Sequence, residues 1–386
     1  MICEEIGLEL VQLVREIFGA EGSVALHEPQ LGVEEEEILA AVVRSGFVST
    51  VGEYVGEFEE DLKAYTGAKC AVAMNSGTAA LHVALNVIGV EPDDEVLTQP
   101  VTFVATGNAI RYCGAHPVFI DIERETLGMC PDRLASFLEQ NATMDSDGRC
   151  RNLSTGRRIV ACMPVNCLGH PAKIGHIRQV CDPYNIKVVE DAAESLGSWI
   201  GKVHTGLKGH LGVLSFNGNK LITTGGGGAL LSDDEELALR ARHLSTTAKR
   251  THDWDFFHDE VGFNYRLPNI NAALGCAQMK KIKVFLKRKR DIAGRYSKWA
   301  SDRGVEIISE PIGASSNFWL NAFLMPDRKS RDQVLSITNR QQVMTRPLWT
   351  PLTQLPMYQD CLSGGHPNSH DIFDRLVCLP SSAVQS

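Results

Sequence analysis

The sequence alternates short apolar runs with amphipathic stretches between residues 68 and 231. The stretches between the runs place apolar residues three and four positions apart, which is typical of helices. Strands that alternate with helices predict parallel pairing, with helices on both faces of the sheet. We therefore predict an α/β fold with a mostly parallel central sheet. The predicted strands are Ala68–Met74, Glu95–Thr98, His116–Ile122, Ile159–Pro164, Ile186–Asp191, Val213–Phe216 and Gly228–Leu231.

The overall composition excludes several classes of protein. The chain has 386 residues and a formal net charge of −9, which argues against a nucleic-acid surface as its main function. No uninterrupted apolar run is long enough to cross a bilayer. Glu4, Glu5 and Glu9 precede any basic residue, so we expect an amphipathic N-terminal helix and no signal peptide. The cysteines are scattered without a C-x-x-C pair, and we expect reduced thiols in a cytoplasmic protein.

A candidate phosphate site lies in Asn75-Ser76-Gly77-Thr78, between a predicted strand and a predicted helix. Free backbone N–H groups at a helix start attract a dianionic phosphate. Gly77 allows close approach of the backbone, and Thr78 adds a hydroxyl donor. The ordinary alternative is a simple helix N-cap, which serine and threonine supply in many proteins.

Two carboxylates follow Val188-Val189 at the end of another predicted strand. Asp191 ends the strand, where a carboxylate is costly without a partner. Glu194 comes three residues later. The ordinary alternatives are a capping role for Asp191 and a first-turn helix position without a ligand for Glu194.

Lys220 follows a predicted strand and precedes the glycine run Gly225 to Gly228. Lysine is rarely buried without a reason, and a glycine run lets a bulky ligand lie close to the chain. Ser215, on the same strand, is a second candidate phosphate ligand. The ordinary alternative is an exposed loop lysine beside a flexible turn. The glycines do not match G-x-G-x-x-G, which argues against a dinucleotide site.

A phosphate site, an acid and a lysine in this order indicate pyridoxal phosphate as the cofactor. This cofactor bonds to a lysine amine, and an acidic group pairs with its ring nitrogen. Ligands of open α/β sheets bind beyond the carboxyl ends of the strands, where all three motifs lie. Lys220 would bond the cofactor and carry a proton, Asp191 would hold the ring nitrogen, and Glu194 would approach the phenolic oxygen. Phe103, just after another strand end, is a candidate to stack on the ring, although a core phenylalanine is commoner.

Other patterns favour ordinary structural roles. The twelve histidines show no recognisable ligand spacing, so we expect no metal site. The basic segment Lys280–Arg290 carries a mostly apolar face that includes Ile282, Phe285 and Lys289. We interpret it as a solvated helix packed on one side, with a nucleic-acid role as the weaker alternative. The polar stretch 141–157 predicts an exposed loop.

Together these residues resemble the DegT/StrS-type nucleotide-sugar aminotransferases, which are fold-type-I pyridoxal-phosphate enzymes. The resemblance runs over nearly the whole chain and is carried by Ser76-Gly77-Thr78-Ala79-Ala80-Leu81, Glu190-Asp191-Ala192-Ala193-Glu194, Ser215-Phe216-Asn217-Gly218-Asn219-Lys220 and Gly262-Phe263-Asn264-Tyr265-Arg266-Leu267. It implies a large domain plus a smaller C-terminal α+β domain. It also implies that Lys220 is the Schiff-base residue and Asp191 the partner of the pyridine nitrogen. The implied phosphate ligands are Gly77, Thr78, Ser215 and, from the neighbouring subunit of a homodimer, Asn264, with Phe103 in the stacking position.

A narrower resemblance points to the branch that serves the bacillosamine and legionaminic acid pathways. It is carried by His27-Glu28-Pro29, Thr246-Thr247-Ala248-Lys249, His258-Asp259-Glu260 and Met344-Thr345-Arg346-Pro347. That branch implies amination of C4 of a UDP-linked 4-keto-6-deoxy-N-acetylhexosamine, with L-glutamate as the donor. Glu194 is usual in this branch, and the presence of Lys220 argues against the deoxygenating relatives that carry histidine there.

We predict an N-terminal helix at residues 1–25, a large cofactor-binding domain at 26–270, and a long linking helix with a small domain at 271–386. Three alternatives stay open: a pyridoxal-phosphate-binding regulator without turnover, an aminotransferase for a dTDP- or GDP-linked ketosugar, and a nucleotide-binding oxidoreductase without a recognisable fingerprint. The candidates for substrate contacts, each with an ordinary packing or surface role as the alternative, are His27, Lys249, Asn321 and Trp349.

Overall fold

The computed structural model describes residues 2–383, which fold around a seven-stranded sheet. Residue 1 and residues 384–386, which belong to the predicted first and last units, lie outside the described residues. The strands are β1 Cys70–Met74, β2 Glu95–Thr98, β3 His116–Phe119, β4 Ile159–Met163, β5 Lys187–Asp191, β6 Leu211–Ser215 and β7 Gly228–Ser232. Their order is β1-β7-β6-β5-β4-β2-β3, and β2 to β6 pair in parallel. The mostly parallel sheet predicted from the sequence is confirmed.

Strand β7 runs antiparallel to both of its neighbours, β1 and β6. The pattern of strands and helices predicts a mostly parallel sheet and places no helix between β6 and β7. Residues 216–227 between β6 and β7 contain no helix. A parallel return normally requires a helical crossover, so this irregular loop reverses the chain. The loop contains Lys220, and its conformation thus sets both the strand direction and the position of the lysine.

Helices cover both faces of the sheet. In β1, Val72 and Met74 face one layer of helices, and Ala71 and Ala73 face the other, as the alternation of side chains in a strand requires. The first layer contains α4 Gly77–Val87, α5 Ala105–Tyr112 and α8 Glu235–Ser245. The opposite layer contains α3 Glu53–Thr66, α6 Pro131–Asn141, α7 Ile174–Cys181 and α9 Asn269–Arg303. The helix α2 Val33–Ser45 packs beside α9.

The long helix α9 leads to a second, antiparallel sheet. Its strands are β8 Glu306–Ile307, β9 Asn321–Leu324, β10 Arg346–Pro347 and β11 Leu376–Leu379, and its helices are α10 Arg328–Arg340 and α11 Pro367–Arg375. The N-terminal helix α1, Ile2–Phe18, packs here, with Leu10 and Val14 buried against Phe323 and Val334. The smaller C-terminal unit of the predicted fold class is confirmed, while the exact domain boundaries stay a prediction.

Lys289 is fully buried in α9, on the face where the sequence predicted apolar packing. Its Nζ donates to the backbone carbonyls of Phe318 at 3.2 Å, Trp319 at 2.9 Å and Ser381 at 2.5 Å. Burial lowers the pKa of this amine well below its ordinary value. Lys289 therefore ties α9 to two loops of the small domain.

The polar stretch 141–157, for which the sequence predicts an exposed loop, contains a short antiparallel pair, Ala142–Met144 with Cys150–Asn152. The Asp145 carboxylate accepts from the backbone N–H groups of the turn, which stabilises this reversal.

Among residues 2–383, no helix is both long and apolar enough to span a membrane.

Candidate active site

A cavity of about 360 Å³ lies at the carboxyl ends of β1, β2, β5 and β6; we call it the lysine cavity. Its wall contains seven of the eight site residues predicted from the sequence, namely Gly77, Thr78, Phe103, Asp191, Glu194, Ser215 and Lys220. The eighth, Asn264, is exposed and does not line this cavity within its own chain. The sheet thus brings together side chains that are far apart in the sequence.

The N-terminus of α4 forms one end of the cavity. Ser76 takes the ordinary capping role, since its Oγ accepts from Ala79 N at 3.0 Å. Gly77 has no room for a side chain, because a Cβ there would lie 2.9 Å from Ser215 Cβ. A Cβ at Gly228 would lie 2.5 Å from Gly77 N. The first N–H groups of a helix lack intrahelical acceptors, so this tightly packed end offers donors to an anion.

Asp191 lies at the end of β5 and is 4% exposed. Its Oδ2 accepts from Thr106 Oγ1 at 2.8 Å, and its Oδ1 accepts from Ala193 N at 3.1 Å. Thr106 Oγ1 also lies 2.7 Å from Thr102 Oγ1. Burial raises the pKa of Asp191, while these donors and the Lys220 charge oppose the shift. The carboxylate is therefore fixed in position, and a further cationic partner would stabilise its charge.

Glu194 and Lys220 face each other in the same cavity. Glu194 Oε1 lies 3.6 Å from Lys220 Nζ, and Glu194 Oε2 accepts from Leu168 N at 2.8 Å. Burial raises the pKa of Glu194 to about 7, although the Lys220 charge opposes this shift. A carboxyl group with this pKa can take up or release a proton near neutral pH.

The small domain contributes an aromatic cover that sequence reasoning did not assign to Lys220. The Trp319 ring centroid lies 3.9 Å from Lys220 Nζ, close enough for a cation–π contact. Trp319 Nε1 donates to Asn219 O at 2.6 Å, which holds the indole beside the lysine loop. Trp349 stacks on Trp319 with ring centroids 6.2 Å apart. Thr106 was also missed, and its place in the first turn of α5, the helix that follows β2, was the only signal that could have found it.

Potential metal ligands converge elsewhere among the described residues, in the groups Glu57–Asp61–Cys276 and His243–Asp259–Glu260. In the second group, Arg240 pairs with Glu260, and Arg250 Nε lies 2.7 Å from Asp259 Oδ2. The arginine guanidinium groups neutralise these carboxylates, so we interpret His243, Asp259 and Glu260 as part of a network of ion pairs. The expected lack of a metal site stays a prediction.

The lysine cavity fits pyridoxal phosphate. It offers an amine at Lys220, a buried carboxylate at Asp191 that lacks a full counter-charge, and helix N–H groups at Gly77 for a phosphate. These are the three partners that this cofactor requires. Its volume also lies within the usual range for small-molecule sites.

Comparison with known proteins shows the family. The sequence model of the DegT/DnrJ/EryC1/StrS aminotransferase family matches residues 29–384. EpsN of Bacillus subtilis (strain 168), named as a pyridoxal phosphate-dependent aminotransferase, is 37% identical over 93% of this chain and 91% of its own length. The GDP-perosamine synthase of Escherichia coli O157:H7 is 32% identical over 93% of both chains. The crystal structure of the aminotransferase TlmJ from Streptoalloteichus hindustanus has a TM-score of 0.85, with 28% identity and 95% of both chains covered.

The chain belongs to the DegT/DnrJ/EryC1/StrS aminotransferase family. It is an enzyme, a sugar aminotransferase with the fold-type-I architecture, and its cofactor is pyridoxal phosphate. The fold class, the enzyme class and the cofactor predicted from the sequence are confirmed. The roles of the individual site residues stay predictions.

Proposed function

We propose that this protein transfers an amino group from L-glutamate to C4 of a nucleotide-linked 4-keto-6-deoxy sugar. The acceptor we favour is UDP-2-acetamido-2,6-dideoxy-4-hexulose, and the product is the UDP-4-amino sugar. The main support is the convergence of Lys220, Asp191 and Glu194 in one cavity. The uridine nucleotide and the acetamido group rest on the resemblance to the bacillosamine and legionaminic acid branch. The identity with a GDP-perosamine synthase makes a GDP-linked ketosugar the second candidate.

Pyridoxal phosphate supplies an aldehyde that bonds to amines and a ring that withdraws electrons from the carbon bearing the amine. We propose that Lys220 Nζ bonds to this aldehyde and that Asp191 accepts a hydrogen bond from the ring nitrogen. The phosphate would be held by the N–H groups at the start of α4, by Thr78 and by Ser215. Phe103, which is 54% exposed in the single chain, would lie against the ring face.

The proton transfers of both half-reactions are assigned to Lys220. Once the amino donor has displaced it, its Nζ would be free to take a proton from the donor carbon and to return it to the former aldehyde carbon of the cofactor. Trp319 limits the freedom of this amine, because its ring covers Nζ at 3.9 Å. Glu194 Oε1, 3.6 Å from the same nitrogen, can hold a proton beside it. In the second half-reaction, Lys220 would move the proton in the opposite sense, toward the former C4 ketone carbon.

We further propose a homodimer with shared active sites and a cytoplasmic location, the latter on the expectation of reduced thiols. Asn264 is exposed and lies outside the lysine cavity of its own chain, so it is available to a neighbouring subunit. The segment before it exposes Trp254 by 80%, Phe256 by 76% and Val261 by 86%. Exposed apolar residues of this density favour a protein interface. Light scattering on the purified protein would test the dimer.

The function can be tested in two steps. Glutamate alone should shift the absorption of the bound cofactor toward its amine form, which a non-catalytic regulator would not do. A panel of UDP-, GDP- and dTDP-linked 4-ketosugars, read by mass spectrometry, should then show amination of the UDP-linked acetamido sugar. Lys220→Ala should lose turnover with the fold intact. Wild-type activity in that variant would refute the assignment, and exclusive amination of the GDP sugar would replace the proposed acceptor.

A further inference from the structure

A second cavity, of about 580 Å³, lies beside the lysine cavity. The two cavities share Asn219, Trp319 and Trp349 as wall residues. The two indoles are nearly parallel, with 11° between their planes. A substrate whose reacting carbon lies near Lys220 therefore has room for the rest of its structure in the second cavity. Its volume is in the range of sites for drug-sized ligands.

His27 lines this second cavity with two unsatisfied nitrogens. Both ring nitrogens are buried, and neither has a hydrogen-bond partner among residues 2–383. The backbone on each side is held in place, because Leu26 O accepts from Ser381 N and Glu28 N donates to Ser382 Oγ, both at 2.8 Å. Buried nitrogens without partners are costly, and such atoms in the wall of a cavity point to a ligand.

The surroundings of His27 indicate what kind of group it would bind. Burial, followed by the charges of Lys289 and Lys220, lowers the pKa of His27 well below its ordinary value. A neutral imidazole presents one donor and one acceptor. The neighbouring wall is largely apolar and includes Leu320 and Leu348. This environment suits an uncharged polar group, such as a hydroxyl or an acylamide, better than a carboxylate.

Arg346 offers a positive charge at the exposed side of the same cavity. Among the hydrogen bonds of the described residues, its Nη1 donates to Asn339 Oδ1 at 3.0 Å and to Thr345 O at 3.2 Å, and no carboxylate accepts from it. A guanidinium group without an acidic partner is well suited to bind phosphate oxygens. The cavity thus combines a neutral polar inner wall with a cationic outer wall.

We propose that the second cavity binds the non-reacting part of the nucleotide sugar, with His27 hydrogen-bonded to a substituent of the sugar and Arg346 paired with the pyrophosphate. This inference rests on the proposed function and makes His27 a specificity-determining residue for the acceptor. The amino donor is a small dicarboxylate with no sugar ring or pyrophosphate, so its binding should depend on His27 much less.

The test measures binding to the cofactor-loaded enzyme by calorimetry. The first probe is UDP-N-acetylglucosamine, which lacks the C4 ketone and therefore cannot react, and the second is GDP-mannose. The variants are His27→Leu, His27→Gln and Arg346→Gln, with Arg340→Gln as the matched control. Arg340 is another exposed arginine of the small domain and does not line the cavity. Thermal unfolding of each variant is recorded, and Arg346→Gln at its exposed position carries the test if His27→Leu does not fold.

His27→Leu should weaken binding of the UDP sugar about tenfold or more. His27→Gln, which keeps a donor and an acceptor, should recover most of the loss. Arg346→Gln should weaken binding and reduce its salt dependence, and Arg340→Gln should match the wild type. Relative to the wild type, the fold-loss of sugar affinity in His27→Leu should be about ten times larger than the fold-decrease in the rate of the glutamate half-reaction.

Several results would overturn this assignment of the cavity. The first is an unchanged affinity for the nucleotide sugar in both His27→Leu and Arg346→Gln. The second is a decrease in the rate of the glutamate half-reaction in His27→Leu that is as large as its loss of sugar affinity. The third is that neither probe binds to the wild type. If only GDP-mannose binds and shows the same pattern, the cavity assignment is supported and the proposed nucleotide is replaced. Failure of the proposed function itself would look different, since the wild type would then show no absorption change with glutamate.

Discussion

Replacing Glu194 with glutamine should change how the stability of the cofactor-free protein depends on pH. The Glu194 carboxylate is buried, accepts from Leu168 N at 2.8 Å, and lies 3.6 Å from Lys220 Nζ. Burial raises its pKa from an ordinary value of 4.5 to about 7. Between these two values the folded protein holds a proton at this site that the unfolded chain has released.

The sign of the effect follows from this difference in bound protons. Since the folded state binds more protons than the unfolded state, the free energy of unfolding falls as the pH rises from about 4.5 to about 7. Below about pH 4.5 Glu194 causes no loss of stability, and above about pH 7 the loss that it causes is complete. The shift corresponds to about 3 kcal/mol at about 1.4 kcal/mol for each pKa unit. Most of this, about 2–3 kcal/mol, falls between pH 5 and pH 8.

Urea unfolding at pH 5 and pH 8, at a fixed protein concentration, measures this effect. The stability of Glu194→Gln relative to the wild type should rise by about 2–3 kcal/mol between the two pH values, because every other titrating group is common to both proteins. Glu139→Gln, at an exposed position of α6, is the matched control and should show no such rise. Parallel pH profiles for the wild type and Glu194→Gln would refute the buried, proton-binding carboxyl group.

Three further substitutions test other contacts. Thr106→Val should weaken cofactor binding about tenfold, because Asp191 loses a hydroxyl donor at 2.8 Å. Thr98 is equally buried, but its hydroxyl donates to a backbone carbonyl, so Thr98→Val should leave the dissociation constant of the cofactor nearly unchanged. Lys289→Met should lower the free energy of unfolding, measured by urea denaturation, by about 1–3 kcal/mol, because three carbonyls lose their donor. Lys287 is exposed, so Lys287→Met should change this free energy by less than about 0.5 kcal/mol. Asp191→Asn should reduce turnover at least about a hundredfold with an unchanged circular dichroism spectrum, and a wild-type rate would exclude Asp191 from the chemistry.

The convergence of the site motifs could be predicted because each motif lies next to the end of a strand. Gly77 follows β1, Asp191 ends β5, Ser215 ends β6 and Lys220 follows it. In a parallel sheet the carboxyl ends of neighbouring strands lie along one edge, whatever their separation in sequence. Local patterns of apolar residues were therefore sufficient to place these side chains in one cavity.

The residues that the sequence did not assign to the lysine cavity depend on tertiary contacts. Trp319 comes from the small domain, and the Asn219 carbonyl that its indole binds is 100 residues away in sequence. No local pattern distinguishes such an indole from a core tryptophan. Lys289 looked like one more basic residue on a helix face, and its burial depends on the carbonyls of two distant loops. The reversed direction of β7 has a local cause instead, because residues 216–227 contain no helix that could carry the chain back for parallel pairing.

Two buried carboxylates share one cavity with Lys220, and their partners suit them to different tasks. Asp191 is held by two hydrogen-bond donors, Thr106 and Ala193, and a cationic ring nitrogen would keep it ionised. Glu194 has one backbone donor and the Lys220 amine, and its pKa is about 7. When that amine carries no charge, Glu194 should hold its proton more tightly still. We therefore expect the pH dependence of turnover to contain a transition near or above pH 7 that Glu194→Gln lacks, and a transition retained in that variant would belong to another group.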